Sequence, residues 1–236
     1  ITNLDMTDNN ILNLKEWLNQ YKLILEDTTD QIKRKFGSEL EGQLNKFGLK
    51  LFGQYPYLKT SFFTIELNFD KQKAKIWYGS MQEMLDECKL TVNEVLNNII
   101  KLRKELGSKL SEKELLENLH NAYLRVKKEK EIEQVPIINI LYEMSFLLQD
   151  KKFRENPRKD YYTSYNRADF SYDLYRIKEY QSKNTLQYNL CLRVATREFT
   201  KQRYNFLWVP DNESDKGTTY SHLYFKEVLK NVSTEP

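Results

Sequence analysis

The sequence contains few of the residues that most often build metal sites and covalent cross-links. Its 236 residues include two cysteines, two histidines and seven glycines. Cys88 and Cys191 stand far apart, and His120 and His222 lie close to neither, so we expect no disulfide framework and no zinc site. Neither a P-loop nor a dinucleotide-binding glycine motif occurs. We therefore predict no metal and no cofactor, and we favour a protein that is not an enzyme.

Long apolar runs are also missing. No segment approaches the roughly 20 apolar residues that a membrane helix needs. The first five residues, Ile-Thr-Asn-Leu-Asp, lack the basic start and the apolar core of a signal peptide. Two cysteines without a framework suit a reducing compartment. We expect no membrane partner and a cytoplasmic location. The Asn- and Lys-rich composition favours an AT-rich genome, such as that of a bacterium or a mobile element, and would suit a protein of a defence system.

Positive charge is concentrated in one quarter of the chain. The formal net charge is only +3, yet residues 151–208 hold thirteen Lys and Arg against six Asp and Glu. The segments before and after each carry a net charge of −2. Thirteen aromatic residues are interleaved in the basic quarter. A basic segment rich in Tyr and Phe attracts a phosphate backbone, so DNA is the predicted partner. The alternative is a basic surface balanced by neighbouring acidic ones.

The first half of the chain is predicted to mix helices with one hairpin. Apolar residues at three- and four-residue spacing predict a helix over residues 8–27 and a second over residues 29–47, interrupted by Gly37 and Gly42. Alternating apolar residues around a short polar turn predict a β-hairpin at about residues 60–79. Residues 80–106 return to helical spacing, and Gly107 ends that helix. We expect an α+β fold of two packed domains, residues 1–107 and 108–236.

The first predicted helix carries a stripe of large apolar residues. Trp17, Leu18 and Leu25 belong to this stripe. It predicts a helix–helix interface, either with a second copy of the chain in a homodimer or with another protein. Intramolecular packing is the alternative use of such a stripe.

The second half of the chain has a definite order of predicted elements. A helix beginning at Ser111 is followed by a short strand at residues 132–135, and Pro136 starts a second helix that ends near residue 148. A polar, basic connection leads to a third helix over residues 166–180, where Asn166 and Asp169 form a capping pair. Strands over residues 186–194, 203–209 and 218–225 follow, the first two forming a hairpin.

That order resembles the winged-helix variant of the helix-turn-helix. In that family the third helix enters the major groove, and the hairpin, or wing, contacts the backbone or the minor groove. The resemblance implies a recognition helix over residues 166–180 and a wing over residues 186–209, with one extra C-terminal strand. The connection before the third helix, about fifteen residues, exceeds the usual tight turn and leaves room for an inserted loop. The predicted DNA-binding residues are Arg158, Lys159, Arg167, Ser171, Tyr172, Tyr175, Arg197, Lys201 and Arg203.

These residue types suit contacts with DNA. An arginine that pairs with a guanine edge contributes roughly 1–3 kcal/mol of discrimination, and cations on a wing neutralise phosphates. Tyrosines can hydrogen-bond phosphates or stack on exposed bases. The alternative for the tyrosines is packing against a sheet with their hydroxyl groups in water.

Two other functions stay open. Winged helices also dock proteins, which would make the chain a protein-docking subunit of a larger DNA-associated assembly. A metal-dependent nuclease would gather carboxylates and a lysine near the first hairpin. The candidates are Glu39, Glu41, Glu66, Asp70, Lys73 and Lys75. Asn68, however, stands where the usual Glu-x-Lys pattern needs lysine, and alternating charge is typical of a solvated hairpin face. Residues 211–217 resemble a calcium loop in composition, but His222 occupies the position of its last acidic ligand.

Overall fold

The computed structural model describes residues 8–213 and 216–227. The fold is α+β, as predicted. The first part of the chain contains two helices and five strands. In chain order they are α1 (Asp8–Asn45), β1 (Phe52–Gln54), β2 (Tyr57–Thr60), β3 (Phe63–Asn68), β4 (Lys73–Tyr78), β5 (Glu83–Lys89) and α2 (Val92–Glu105).

Helix α1 is one continuous helix, which corrects the prediction of two. Neither Gly37 nor Gly42 breaks it. A glycine inside a helix costs only about 1 kcal/mol relative to alanine, and burial of the helix's last third offsets this cost. Phe36, Leu40 and Leu44 provide that burial against the sheet. The helix therefore combines a packed C-terminal third with a long N-terminal extension.

The five strands form an antiparallel sheet in the order β1-β2-β3-β4-β5. The predicted hairpin is confirmed as β3 and β4, in which Phe63 pairs with Tyr78. The expectation of a single hairpin followed by a helix from residue 80 is wrong, because residues 83–89 form β5. Pairing of β5 along β4 overrides the helical tendency of its Glu, Met and Leu residues. Thr91 then caps α2, its side chain accepting a hydrogen bond from the Glu94 amide.

The second part of the chain contains four helices and four strands. They are α3 (Glu112–Lys130), β6 (Val135–Pro136), α4 (Ile137–Leu147), α5 (Lys151–Glu155), α6 (Arg167–Lys183), β7 (Tyr188–Val194), β8 (Leu207–Pro210) and β9 (Gly217–Glu227). Capping boxes start α3 at Ser111 and α6 at Asn166, the latter with Asp169 as predicted.

Strand β9 organises the second sheet. It pairs with β7 along one edge and with both β6 and β8 along the other. The predicted hairpin between residues 186–194 and 203–209 is therefore wrong, because β7 and β8 both pair with β9 instead of with each other. The connection between β7 and β8, residues 195–206, crosses from one side of β9 to the other.

Two clusters of buried side chains form the core. The C-terminal core joins α3, α4 and α6 to the second sheet. The N-terminal core joins α1, α2 and the first sheet, and it also takes in Ala168 of α6 and Trp208 of β8. Helix α6 contributes to both cores, since Phe170, Leu174 and Ile177 face the C-terminal one. Helix α6 thus packs against the cores of both halves of the chain.

Within the described residues, no helix combines the length and the apolar character needed to cross a membrane.

Candidate nucleic-acid interface

Arg167, predicted to read a DNA groove, is held by the protein itself. Its Nε lies 2.8 Å from a carboxylate oxygen of Glu83, and its Nη2 donates to the Phe206 carbonyl oxygen at 2.6 Å. The side chain is only 20% exposed. The contact ties the start of α6 to β5 and to the segment before β8. In this arrangement the Arg167 guanidinium is used in contacts within the chain.

The rest of the predicted recognition surface is also a packing surface. Ser171 is 1% exposed, and its hydroxyl donates to the Trp208 carbonyl oxygen at 2.5 Å. Tyr172 and Tyr175 pack edge-on against Phe62, with ring centroids 5.1 and 5.2 Å apart. Both tyrosines therefore pack within the chain. The small side chain of Ser171 lets the backbone of β8 approach α6 closely, and the buried hydroxyl cannot reach a duplex.

Arg203 combines an internal contact with exposure. It pairs with Glu83, the same carboxylate that binds Arg167, and donates to the Gln82 carbonyl oxygen at 2.9 Å. Its side chain nevertheless stays 62% exposed. Arg203 therefore anchors the connection between β7 and β8 to the N-terminal part of the chain while adding positive charge at the surface.

Four of the predicted contact residues are exposed and form no ion pair with any described residue. They are Arg158, Lys159, Arg197 and Lys201. The first two lie on the connection between α5 and α6, where residues 159–161 form a 3-10 turn. The other two lie on the connection between β7 and β8. We call these four residues the free cations.

A cavity lies beside the first pair of free cations, and the sequence did not indicate it. It has a volume of about 400 Å³ and is lined by Arg125, Phe146, Leu147, Phe153, Arg154 and Pro157. Arg154 is oriented by its Nη2, which donates to the Leu147 carbonyl oxygen at 2.7 Å. Phe146 is 65% exposed. The sequence Lys-Lys-Phe-Arg over residues 151–154, an aromatic residue between basic ones, is the signal that could have indicated this cavity.

Helix α4 connects the two basic segments. The connection that carries Arg158 and Lys159 follows α5, and its Pro157 lines the same cavity as Phe146 and Leu147 of α4. The 3-10 turn at residues 203–205, in the other segment, also contacts α4. In the second sheet, Arg193 of β7 stands opposite His222 of β9. On the other edge of β9, His222 stands opposite Pro136, the residue before α4. Between the segments α4 exposes Tyr142 and Phe146. Both exposed basic segments therefore have neighbours on α4.

The two histidines both pack against aromatic rings. His120 stacks on Tyr188 with ring centroids 3.9 Å apart and meets Phe225 edge-on at 4.8 Å. His222 meets Phe199 edge-on at 5.1 Å. Burial lowers the pKa of His120, and burial together with the nearby Arg193 charge lowers the pKa of His222. Both rings thus favour the neutral form and serve packing.

The residues suggested for a nuclease are spread over a helix, a turn and two strands. Glu39 and Glu41 lie on α1, Asp70 lies in the turn between β3 and β4, and Glu66, Lys73 and Lys75 lie on these two strands. Glu66 accepts a hydrogen bond from Trp77 Nε1 at 2.9 Å and stands opposite Lys75. Lys73 pairs with Glu87 on the neighbouring strand. Among the described residues, no three or more His, Cys, Asp or Glu side chains come together in a group that could hold a metal ion. Acidic and basic side chains alternate on these strands, and the described residues form no metal-binding group there that would support the nuclease alternative.

Comparison with family models, with curated proteins and with solved structures found no match. The winged-helix resemblance stays a prediction from the order of elements.

Proposed function

We propose that this chain binds DNA without catalysing a reaction, through the basic surface that flanks α4. One observation carries the proposal: the free cations Arg158, Lys159, Arg197 and Lys201 project into solvent, whereas Arg167 and Arg176 are used inside the fold. The charge excess of residues 151–208 is therefore concentrated on exposed segments. Exposed cations near aromatic side chains suit a polyanion.

The dimensions of this surface suit a duplex. Helix α4 has eleven residues and is about 16 Å long at 1.5 Å per residue. Phosphates recur about every 3.4 Å along one strand, so the length of α4 corresponds to roughly five base pairs. Tyr142 and Phe146 are exposed on this helix and offer a hydroxyl group and an aromatic face.

The proposed contacts differ from those that the winged-helix resemblance implies. Ser171 and Arg167, two of the predicted DNA-binding residues on α6, make contacts within the chain instead. The free cations offer phosphate contacts, which position a protein on DNA and supply affinity without reading sequence. We therefore propose binding dominated by charge and strongly dependent on salt. A cytoplasmic location fits the two free cysteines, Cys88 and Cys191.

Salt-dependent binding tests this proposal. Fluorescence anisotropy of a labelled random-sequence duplex, titrated at several salt concentrations, measures the slope of log K against log salt. We expect steep weakening with salt. The double variants Arg158→Ala/Lys159→Ala and Arg197→Ala/Lys201→Ala should each flatten the slope by roughly 1–2.

A matched control removes the same charge elsewhere. Lys46→Ala/Lys50→Ala deletes two exposed lysines next to the end of α1, in the N-terminal part of the chain, and should leave the slope unchanged. Absence of binding even at low salt would contradict the proposal and favour the protein-docking alternative. Equal flattening in all three double variants would show that overall charge, rather than this surface, controls the binding.

A further inference from the structure

The N-terminal extension of α1 has no partner within the described chain. Every side chain from Asn13 to Ile32 is exposed, and contact with the N-terminal core begins at Lys33 and Phe36. The extension from Asp8 to Ile32 is about 37 Å long at 1.5 Å per residue. Most of the stability of a protein helix comes from packing of its apolar face, and the extension has no such packing within the described chain.

The extension nevertheless exposes many large apolar side chains. Trp17, Leu18 and Ile24 are 56%, 50% and 63% exposed, and the other members of the set are Ile11, Leu14, Tyr21, Leu25 and Ile32. Single exposed apolar residues are normal on protein surfaces, but a contiguous stripe marks an interaction site. The stripe therefore requires a partner.

The spacing of the stripe specifies the geometry of that partner. Residues 11, 14, 18, 21, 25, 28 and 32 alternate steps of three and four, which is the a and d pattern of a coiled coil. A strict seven-residue repeat keeps its seam facing another helix as the two helices supercoil. The packed end of α1 is different, because Phe36, Leu40 and Leu44 are spaced by four residues and face the sheet. The heptad pattern is thus confined to the exposed extension.

We infer that α1 pairs in parallel with α1 of a second copy of this chain, forming a two-stranded coiled coil over residues 11–32. The a positions are Ile11, Leu18, Leu25 and Ile32, and the d positions are Leu14, Tyr21 and Thr28. Ile11 at a, with Leu14 at d, matches the combination that favours two strands, and Ile32 supplies a second β-branched a position. The inference goes beyond the proposed function and does not depend on it.

Charges beside the seam permit this self-pairing. In a parallel pair, each e position faces a g position of the other helix. The e positions hold Lys15 and Lys22, whereas the g positions 17, 24 and 31 hold Trp, Ile and Gln. No like charges therefore oppose each other, and the Lys22 ammonium of one copy faces the Trp17 ring of the other, a favourable cation–π arrangement.

The available surface is sufficient for a stable pair. Half-exposed aromatic and aliphatic side chains of this number contribute on the order of 500 Å² of apolar surface per chain. A symmetric pair then buries about 1,000 Å², which reaches the size of a specific interface. Residues 8–32 project beyond the rest of the chain, so two copies can meet along the whole seam.

Sedimentation equilibrium of the full chain tests the inference. We expect a dimer for the wild type. Leu18→Asp should raise the dimer dissociation constant about 100-fold or more, because a carboxylate would enter the apolar seam. Leu23→Asp is the matched control: Leu23 lies at an f position opposite the seam and is 64% exposed, so this variant should stay dimeric. Circular dichroism checks that both variants keep a folded body.

Cross-linking tests the orientation. In a background with Cys88 and Cys191 replaced by serine, Ile11→Cys places one thiol per chain at an a position. In a parallel pair the two thiols face each other, and mild oxidation should give a covalent dimer. A wild type that is monomeric throughout, or a Leu23→Asp variant as dissociated as Leu18→Asp, would overturn the inference. A stable dimer that fails to cross-link through the introduced thiols would overturn the parallel arrangement.

Discussion

At the scale of single residues, a buried polar network joins α6 to the turn between α2 and α3. The Asp173 carboxylate, 1% exposed, accepts hydrogen bonds from the Ser108 amide at 3.0 Å and the Tyr165 hydroxyl at 2.9 Å. Arg176 pairs with the same carboxylate at 3.0 Å and donates to the Leu110 carbonyl oxygen at 2.7 Å. Both carboxylate oxygens of Asp173 are hydrogen-bonded, so the network fixes how the two halves meet.

Removal of one partner should therefore be costly. We expect Asp173→Ala to lower the free energy of unfolding by about 3–5 kcal/mol. The Ser108 amide and the Tyr165 hydroxyl would lose their acceptor, and Arg176 would keep only the more exposed Glu112 carboxylate. Glu179→Ala removes an exposed i,i+4 pair with Lys183 from the same helix and should cost less than about 1 kcal/mol. Urea unfolding of both variants measures the difference. Equal stabilities would show that the network contributes nothing specific.

The same scale shows which site residues a sequence could indicate. Arg158, Lys159, Arg197 and Lys201 lie on polar connections, where exposure follows from composition alone. The positions of Arg167 and Ser171 could not be predicted, because the contacts that enclose them come from Glu83 and Trp208, distant in sequence. A basic helix looks the same in sequence whether its outer face meets solvent or another part of the chain.

At the scale of elements, local pattern predicts helices and turns better than it predicts pairing. The capping residues Ser111 and Asn166 fix the starts of α3 and α6 within a few residues. The local pattern of β5 predicts a helix, because only its partner β4 makes it a strand. The prediction gives β9 the place of an extra strand, although it is the centre of its sheet. Strand partners are set by distant residues, which periodicity does not contain.

The packing of β8 on β4 gives a prediction at this scale. Gly79, at the end of β4, has a φ of +58°, and a Cβ there would lie 2.5 Å from the Trp208 ring. Gly79→Ala should therefore cost about 2–4 kcal/mol, combining a left-handed backbone with overpacking. Gly42→Ala is the contrasting variant, because a Cβ added at Gly42 on α1 would have no neighbouring atom within 4 Å. This variant should raise the free energy of unfolding by up to about 1 kcal/mol. Thermal unfolding of the pair compares them, and a neutral Gly79→Ala would contradict the tight contact.

At the scale of the whole molecule, the two proposals concern opposite ends of the chain. The proposed coiled coil uses the N-terminal extension of α1, and the proposed DNA surface lies beside α4 in the second half. A dimer carries two sets of free cations on one assembly. If both sets engage one duplex, the second contact becomes intramolecular, and affinity rises well above that of one set.

The salt dependence distinguishes a coupled dimer from two independent monomers. Because the slope of log K against log salt scales with the number of phosphates neutralised, Leu18→Asp should roughly halve it, whereas Leu23→Asp should leave it unchanged. Arg197→Ala/Lys201→Ala should flatten the slope while the protein sediments as a dimer. The measurement is the anisotropy titration, run on proteins whose oligomeric state is known at the same concentrations. An unchanged slope for a monomeric Leu18→Asp would mean that each copy binds DNA alone, so the coiled coil would serve assembly rather than affinity.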